Sequence, residues 1–298
     1  MHISMFNVPN SSPTVAVVGL GRIGLPLAVQ YARHGWSVVG CDINPHVVES
    51  VNDGSSPILG EPELETGVLN MVATGRLSAT VDTTEAVRQA AVVIVVVPVA
   101  VDARQEVAFA AVDNATAAIG AGLQPGTLVI YETTLPVGTT ARRFRPLLER
   151  ASHLQAGRDF YLAYSPERAS SGHVFRDLRL YPKVVGGIDE QSAATARAFY
   201  RSVLEADILT MASTDEAEFV KLVEATYRDV TSALADEFAC YAGACGVDAA
   251  ATIAAANSQL YSHIHGGGPC ISVYPYFLLT GVFDEPLPQL RMLIRSGT

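Results

Sequence analysis

Three glycines near the start of the chain have the spacing of a phosphate-binding turn. They lie in Gly19-Leu-Gly21-Arg-Ile-Gly24, directly after the β-branched segment Thr14–Val18 and directly before a helical pattern that runs to about His34. In such a turn the first glycine permits the sharp bend, the second lets the backbone approach a pyrophosphate, and the third allows close helix–strand packing. The helix N-terminus offers unpaired N–H groups to the anion. The pattern therefore predicts a dinucleotide site.

An acidic residue after the next strand indicates which dinucleotide binds. The predicted strand Ser37–Gly40 leads to Asp42, 23 positions after Gly19, where a carboxylate can accept hydrogen bonds from ribose hydroxyls. The following residues, Ile43-Asn44-Pro45, include no arginine for a 2′-phosphate. Glycine-rich turns also occur without a cofactor, but the strand, turn, helix and spaced acid together favour NAD over NADP.

Alternating strands and helices must position this turn. Further apolar strands are predicted at Val92–Val97, Thr127–Tyr131, Phe160–Tyr164 and Lys183–Gly186, and helices between them at Val107–Ile119 and Glu190–Val203. Near-continuous apolar strands are typical of a parallel sheet covered on both faces. The predicted fold class is therefore α/β, with a Rossmann doubly wound parallel sheet over residues 13–211.

Three segments follow strands of this predicted sheet. Pro98–Asp102, Glu132–Thr140 and Ser165–Arg168 each begin where a predicted strand ends. Ligands of such sheets bind beyond the carboxyl ends of the strands. We therefore expect the three segments to border one cleft.

A long helix dominates the second half of the chain. The pattern is helical from about Thr214 to Cys245, a length of about 45 Å at 1.5 Å per residue. Ser213 or Thr214 is suited to cap its start, and Gly243 and Gly246 to mark its end. We predict that residues 212–298 form this helix and a small helical dimerisation domain. The homodimer would use the apolar face of Phe219, Leu222, Val223, Val230, Leu234 and Phe238.

Composition and charge exclude several classes of protein. Of the 298 residues, 49% are hydrophobic and 17% charged, which favours a large folded core over disorder. The net charge of −10 opposes binding to nucleic acid or to anionic membranes.

The longest apolar run, Ala90–Val101, is too short to span a bilayer, and the N-terminus lacks signal-peptide features, so we expect a cytoplasmic protein. The cysteines, Cys41, Cys240, Cys245 and Cys270, form no CxxC pair, so no metal site is predicted.

Eight segments together resemble a known enzyme family. Between residues 15 and about 279 they are GLGRIGLPLA (19–28), ATGRLSATVD (73–82), VVVPVAVD (95–102), ETTLPVGTT (132–140), SPER (165–168), PKVVGG (182–187), KLVEATYRDV (221–230) and CISVYPYFL (270–278). In this order and spacing they resemble the UDP-glucose/GDP-mannose dehydrogenase family, especially its UDP-N-acetyl-hexosamine 6-dehydrogenase branch. The resemblance implies NAD-dependent oxidation of a nucleotide-linked sugar at C6, through an aldehyde, a cysteine thiohemiacetal and a thioester.

The resemblance assigns catalytic roles to four residues. Cys270 corresponds to the nucleophile and Lys221 to the cation that stabilises the developing oxyanion. Both roles are chemically reasonable, because a nearby ammonium lowers the pKa of a thiol and holds negative charge in the transition state. Thr134 and Glu167 correspond to the residues that position the hydrolytic water and transfer its proton.

The turn and the resemblance together give two sets of binding residues. Those on the cofactor side are Gly19, Gly21, Arg22, Ile23, Gly24, Asp42, Ile43, Val97, Pro98 and Thr134, with Val97 and Pro98 lining the nicotinamide side. Those on the substrate side are Glu167, Arg168, Lys221, Gly267 and Gly268.

Several positions on the sugar side differ from the family pattern. An asparagine of the helix motif is replaced by Ala225, an aspartate after the cysteine by Tyr274, and the glycine- and proline-containing loop is shortened to Gly266-Gly-Gly-Pro269. Two alternatives therefore stay open. One is a divergent relative with altered chemistry, either a two-electron oxidation or redox cycling of bound NAD. The other is a catalytically dead protein that binds NAD or a nucleotide sugar.

The family pattern also continues for roughly another domain beyond the end of this chain. That domain is a second Rossmann-like unit that closes over the nucleotide of the substrate. The chain ends at Thr298, shortly after the CISVYPYFL segment. We therefore expect the C-terminal UDP-binding domain to be absent, and much of the nucleotide-binding surface with it.

Overall fold

The first part of the chain is built on one eight-stranded sheet. The computed structural model describes residues 14–101, 107–260, 264 and 277. Its strands are β1 (Thr14–Val18), β2 (Ser37–Cys41), β3 (Leu77–Thr80), β4 (Val92–Val95), β5 (Ala100–Val101), β6 (Val107–Ala108), β7 (Leu128–Tyr131), β8 (Tyr161–Tyr164), β9 (Lys183–Gly187) and β10 (Ile208–Met211). All except β5 and β6 belong to this sheet, in the order β10-β9-β8-β7-β4-β1-β2-β3. Strands β3, β2, β1, β4, β7 and β8 are parallel, which confirms the predicted Rossmann-type fold.

Helices connect the strands. They are α1 (Gly24–Arg33), α2 (Pro45–Asn52), α3 (Leu64–Ala73), α4 (Thr83–Arg88), α5 (Ala110–Gly122), α6 (Arg145–Ser152), α7 (Val174–Leu180), α8 (Glu190–Val203), α9 (Thr214–Cys245) and α10 (Ala249–Ala256), with a π-helical turn at Thr140–Phe144. The predicted helix Val107–Ile119 was wrong at its start, because β-branched Val107 lies in β6. Within the described residues, we find no helix with both the length and the apolar character needed to cross a bilayer.

The strand order changes direction between β1 and β4. From β1 the chain adds β2 and β3 on one side, and then returns to add β4 on the other. In open parallel sheets this change leaves a crevice outside the carboxyl ends of the strands, where ligands bind. The segments that follow β1, β4, β7 and β8 all begin at this edge.

The predicted direction of one strand was wrong. β9 runs antiparallel to β8, pairing Ala163 with Gly187 and Tyr164 with Gly186, and β10 runs parallel to β9. A short apolar strand has the same pattern in either direction, so its sequence does not reveal its orientation. The reversal places Lys183, the first residue of β9, at the carboxyl edge of the parallel strands.

The central strands are buried on both faces. Every residue of β4 and β7 is buried, although neighbouring side chains of a strand point to opposite faces. In the hydrophobic core, Phe199 of α8 packs edge-on against Tyr31 of α1 and against Trp36, with ring centroids 5.3 Å apart in both pairs. This packing fixes α1, and with it the glycine turn.

The long helix α9 has the predicted bounds. Ser213 caps its start, because its Oγ accepts the N–H of Glu216 at 3.1 Å. At its end Gly246 has a φ of +68°, and the N–H of Val247 donates to the carbonyl of Ala242 at 3.0 Å. This is the hydrogen-bond pattern of a Schellman cap.

The described residues divide into two compact units. The first unit contains those up to Ala100 together with Ala108–Glu218, and the second contains Val101, Val107 and those from Phe219 onward.

Within the second unit, the residues of the predicted apolar face of α9 differ in burial. Leu222 is buried and Val230 is half-buried, whereas Phe219, Val223, Leu234 and Phe238 are exposed.

Candidate functional site

The glycine turn joins β1 to α1. Gly19 has a φ of +100°, which favours glycine. A Cβ on Gly24 would lie 1.8 Å from the carbonyl oxygen of Gly19, whereas a Cβ on Gly21 would meet nothing within 4 Å. Arg22 is exposed, Ile23 is half-buried, and α1 begins without a side-chain cap. Open space beside an uncapped helix N-terminus fits a bound pyrophosphate.

Asp42 follows β2 beside this turn. Its Oδ2 accepts the N–H of Leu20 and its Oδ1 accepts the N–H of Asn44, both at 2.9 Å. These bonds fix the carboxylate and leave further lone pairs for ribose hydroxyls. The neighbouring Ile43 is 95% exposed, so an apolar surface lies next to the carboxylate. This combination fits the adenosine part of a dinucleotide.

The ends of β1, β4 and β7 adjoin one another. A Cβ on the first glycine of the turn would lie 3.1 Å from the carbonyl oxygen of Val96. Thr133 Oγ1 donates to the carbonyl of Val97 at 2.7 Å. The predicted nicotinamide-side residues therefore lie at neighbouring strand ends, with Val97 half-buried, Pro98 exposed and Thr134 buried.

Glu218, near the start of α9, anchors the loop that carries Thr134. Its carboxylate accepts the N–H of Gly138 at 2.5 Å, and from Thr140 both the N–H at 2.8 Å and the hydroxyl at 2.7 Å. Burial raises the pKa of Glu218 to about 7, against the effect of these hydrogen bonds. No sequence motif identifies this anchor, because its partners are 78 to 80 residues away along the chain.

Glu167 lies in a buried charged cluster after β8. Its Oε1 accepts the backbone N–H groups of Arg168 at 2.7 Å and Ala169 at 2.6 Å, and its Oε2 accepts Lys183 Nζ at 2.8 Å. The N–H of Glu167 donates to the carbonyl of Glu132 at 3.2 Å. Together with the hydrogen bond between the ends of β4 and β7, this contact brings the beginnings of the three predicted segments to one edge of the sheet.

Two charged residues of this cluster, Lys183 and Glu132, were not predicted as site residues. Lys183 Nζ donates to Glu132 Oε2 at 2.7 Å, and Glu132 Oε1 accepts the hydroxyls of Tyr200 at 2.6 Å and Tyr31 at 3.2 Å. One signal could have found Lys183. The chain has two lysines, Lys183 and Lys221, among its 20 lysine and arginine residues. A lysine at the start of an apolar strand, in a chain whose other lysine and arginine residues are almost all arginine, indicates a position suited to a compact ammonium.

The charges of this cluster shift each other's pKa. Burial, reinforced by nearby Glu167, raises the pKa of Glu132 against the attraction of Lys183. Burial acts to raise the pKa of Glu167 too, but the charge and hydrogen bond of Lys183 outweigh it and hold that pKa below its ordinary value. Burial acts to lower the pKa of Lys183, whereas the two carboxylates raise it above its ordinary value. Glu167 and Lys183 are therefore both ionised at neutral pH.

The remaining predicted residues are placed as follows. The Arg168 side chain donates to the backbone carbonyl that precedes β9 at 2.9 Å. Lys221 is half-buried on α9, in the second unit. Cys270, Gly267 and Gly268 lie outside the described residues, so their roles stay predictions. Among the described residues, no group of His, Cys, Asp and Glu side chains could hold a metal ion.

Two family models match the chain. The NAD binding domain of the UDP-glucose/GDP-mannose dehydrogenase family matches residues 13–204, and the central domain of the same family matches residues 215–293. The first match confirms NAD as the predicted cofactor.

Individual relatives agree with these matches. The UDP-N-acetyl-D-mannosamine dehydrogenase of Pyrococcus horikoshii is 37% identical over 277 residues, which are 91% of this chain and 65% of that relative. A solved structure of a UDP-D-ManNAc dehydrogenase from Pyrococcus horikoshii has a TM-score of 0.88 at 35% identity and covers 95% of this chain and 68% of that one. A UDP-glucose dehydrogenase from Pyrobaculum islandicum has a TM-score of 0.85 at 26% identity, over 97% and 69% of the two chains. This chain therefore spans about two thirds of their length, and it belongs to the UDP-glucose/GDP-mannose dehydrogenase family.

Proposed function

We propose that this chain carries the NAD-binding and central parts of a dehydrogenase that oxidises a UDP-linked N-acetylhexosamine, such as UDP-N-acetyl-D-mannosamine, at C6. One observation carries the proposal. The open turn at Gly21, the fixed carboxylate of Asp42 and the ionised Glu167 all follow the carboxyl ends of parallel strands. Oxidation of an alcohol to an acid consumes one water and transfers two hydrides in succession, one to each of two NAD molecules, and it needs a group to handle the proton of that water.

The glycine turn and the residues near it support an assignment of the NAD-binding residues. When bound, NAD supplies the hydride-accepting ring, and the residues of the chain hold and orient it. We assign the pyrophosphate to the backbone of the turn, the ribose to Asp42 and the adenine to exposed Ile43. The full set is Gly19, Gly21, Arg22, Ile23, Gly24, Asp42, Ile43, Val97, Pro98 and Thr134.

On the substrate side we propose Cys270 as the nucleophile and Lys221 as the cation that stabilises the oxyanion. Thr134 and Glu167 would orient the hydrolytic water. The ionised, partly accessible carboxylate of Glu167 supports this role, because a carboxylate can accept a proton from water. Arg168, Gly267 and Gly268 would contact the substrate.

The test is NADH formation, followed at 340 nm over a panel of UDP- and GDP-sugars. We expect turnover with UDP-N-acetyl-D-mannosamine and two NADH per sugar. Cys270→Ser should abolish formation of the acid, whereas Cys240→Ser, which changes an exposed cysteine of α9, should retain it. No NADH with any nucleotide sugar would contradict the proposal. Unchanged activity of Cys270→Ser would contradict covalent catalysis.

A second candidate is an oxidation that stops after two electrons. Ala225, at the position of a family asparagine, is buried on α9, so an apolar methyl group takes the place of an amide. Loss of a polar group from an active site slows the step that uses it. One NADH per sugar and a product one oxygen lighter than the acid, measured by mass spectrometry, would favour this candidate. NADH binding without turnover would favour a catalytically dead binding protein.

We further propose a division of the chain into domains at 13–211 and 212–298, and a homodimer formed through α9. Support for the dimer comes from exposed apolar side chains three, four or seven residues apart, which places them on one face of the helix. They are Phe219, Val223, Tyr227, Leu234, Phe238 and Tyr241. The cytoplasmic location stays a prediction from the sequence.

A further inference from the structure

Lys183 bridges two carboxylates inside the first unit. Its ammonium lies 2.7 Å from Glu132 Oε2 and 2.8 Å from Glu167 Oε2. The Lys183 side chain is 5% exposed, that of Glu132 0% and that of Glu167 8%. Buried charges need partners in good geometry, because burial removes their hydration. The position of each member therefore depends on the other two.

The two carboxylates differ in their other contacts. Glu132 is enclosed, since its Oε1 accepts the hydroxyls of Tyr200 and Tyr31. Glu167 keeps some exposed surface, and its Oε1 accepts backbone N–H groups. Water can therefore reach Glu167 but not Glu132. This asymmetry makes Glu132 the anchor of the cluster and Glu167 its accessible end.

We propose that Lys183 is a positioning residue: its ammonium holds the Glu167 carboxylate in one position and orientation, while Glu132 and its two tyrosines fix the ammonium. The inference rests on the proposed function for the role of Glu167 toward water. Lysine suits this position, because a compact ammonium contacts two carboxylates from one point, whereas guanidinium is planar and forked. Of the 20 lysine and arginine residues, 18 are arginine. A lysine at position 183 is therefore not explained by frequent use of lysine in this chain.

Several elements contribute the groups that face this cluster. Removal of Lys183 would take away the ammonium that contacts Glu167, and burial would then raise the pKa of Glu167. The titratable and charged groups in the cluster around Glu167 are Lys183 of β9, Glu132 after β7, Tyr31 of α1 and Tyr200 of α8. The side chain of the neighbouring Arg168 donates to the backbone carbonyl that precedes β9.

The test compares the double variant Lys183→Met/Glu132→Gln with Glu132→Gln alone. The double variant removes one positive and one negative charge, which avoids a second unpaired buried carboxylate. Carbon-13 NMR of the glutamate-labelled full chain follows the Glu167 carboxyl group, assigned by its absence in Glu167→Gln. Its pKa should be about 1 to 3 units higher in the double variant than in Glu132→Gln. Equal pKa values in the two variants would overturn the proposal.

A second measurement needs no change in the cluster. Because the chain has two lysines, nitrogen-15 labelling of lysine Nζ gives two ammonium signals, and Lys221→Arg identifies that of Lys183. The Lys183 ammonium is buried and hydrogen-bonded to two carboxylates, so its protons should exchange with water slowly enough to be observed at neutral pH. Exchange as fast as that of free lysine would overturn the proposal.

Turnover provides a readout that a merely structural lysine would not change. With NAD and UDP-N-acetyl-D-mannosamine as substrates, kcat is measured as a function of pH for the double variant and for Glu132→Gln. The acid limb of this profile should lie at higher pH in the double variant, by the same amount as the difference in the pKa of Glu167. The KM for NAD should stay within about twofold, because binding and proton transfer are separate steps. A lower melting temperature with an unmoved acid limb would contradict the proposal. If the wild-type chain shows no turnover, the proposed function fails, while both NMR measurements still decide the role of Lys183.

Discussion

Gly21 and Gly24 lie in the same turn, yet the space around them differs. Gly24→Ala would place Cβ 1.8 Å from the Gly19 carbonyl oxygen, whereas Gly21→Ala would meet nothing within 4 Å. We expect Gly24→Ala to lower the free energy of unfolding by about 3 kcal/mol, the upper end of ordinary overpacking. Gly21→Ala should leave the melting temperature unchanged but weaken NADH binding about tenfold or more, because its methyl group occupies the approach to the pyrophosphate. Thermal melts and fluorescence titrations measure both effects, and equal loss of stability would contradict this account.

Asp42 is predicted to select between the two nicotinamide dinucleotides. Asp42→Ala removes the carboxylate that accepts the N–H groups of Leu20 and Asn44 and that we assign to the ribose. We expect NADH affinity to fall about tenfold, the usual loss for a hydrogen bond to a charged group, and the NADPH-to-NADH affinity ratio to rise. Calorimetry with both cofactors tests this. Asp53→Ala, at an exposed position just after α2, is the matched control, and an unchanged ratio in Asp42→Ala would exclude the assigned role.

At the residue scale, the sequence predicts functional residues that are close together along the chain, but it does not predict contacts between residues that are far apart along it. The glycines of the turn form one short motif, and Asp42 lies a fixed distance beyond it. Lys183 instead contacts Glu132 and Glu167, which are 51 and 16 residues away along the chain. No spacing rule links such positions, because the folded sheet alone brings them together.

At the element scale, Glu218 couples the start of α9 to the loop after β7. Its pKa is about 7 in the folded chain, against an ordinary value of 4.5. Between these values the unfolded chain loses the proton while the folded chain keeps it, so the free energy of unfolding falls as pH rises. The total fall is about 3 kcal/mol from pH 4.5 to pH 7, and no further loss from this group is expected above that range.

Glu218→Gln should remove this pH dependence, because an amide does not titrate. The measurement is urea unfolding of both proteins from pH 5 to pH 8, with the difference between the two curves reporting Glu218. Glu216→Gln, in the first turn of the same helix, is the control. Parallel curves for wild type and Glu218→Gln would show that Glu218 titrates normally.

The central strands and the longer helices were predictable, whereas shorter helices such as α2, α4 and α7 were not assigned. Buried strands such as β4 and β7, and the bounds of α8 and α9, follow from apolar patterns and caps. β3 and β10 were not assigned, because each is four residues long and partly exposed. The direction of β9 could not be predicted, since orientation depends on pairing with β8 and not on the strand's own residues.

At the scale of the whole molecule, the exposed apolar face of α9 predicts self-association. Phe238→Asp would place a charge in the proposed interface of each copy, and we expect the dimer dissociation constant to rise by roughly two orders of magnitude. Sedimentation velocity over a range of concentrations measures this change. Asp236→Asn, an exposed change two residues away that points to the opposite side of the helix, should leave the dimer intact. A wild-type chain that stays monomeric at all concentrations would contradict the prediction.

The strand order allows the sheet to form while the chain is being synthesised. β2 and β3 add in turn to one side of β1, and β4, β7, β8, β9 and β10 then add in turn to the other side. Each strand of the sheet after β1 can therefore pair with the free edge of a strand that has already been synthesised. No strand has to be inserted between two strands that are already paired. The sheet can grow outward at the pace of translation, so the nascent chain need not wait for its C-terminal part before it begins to fold.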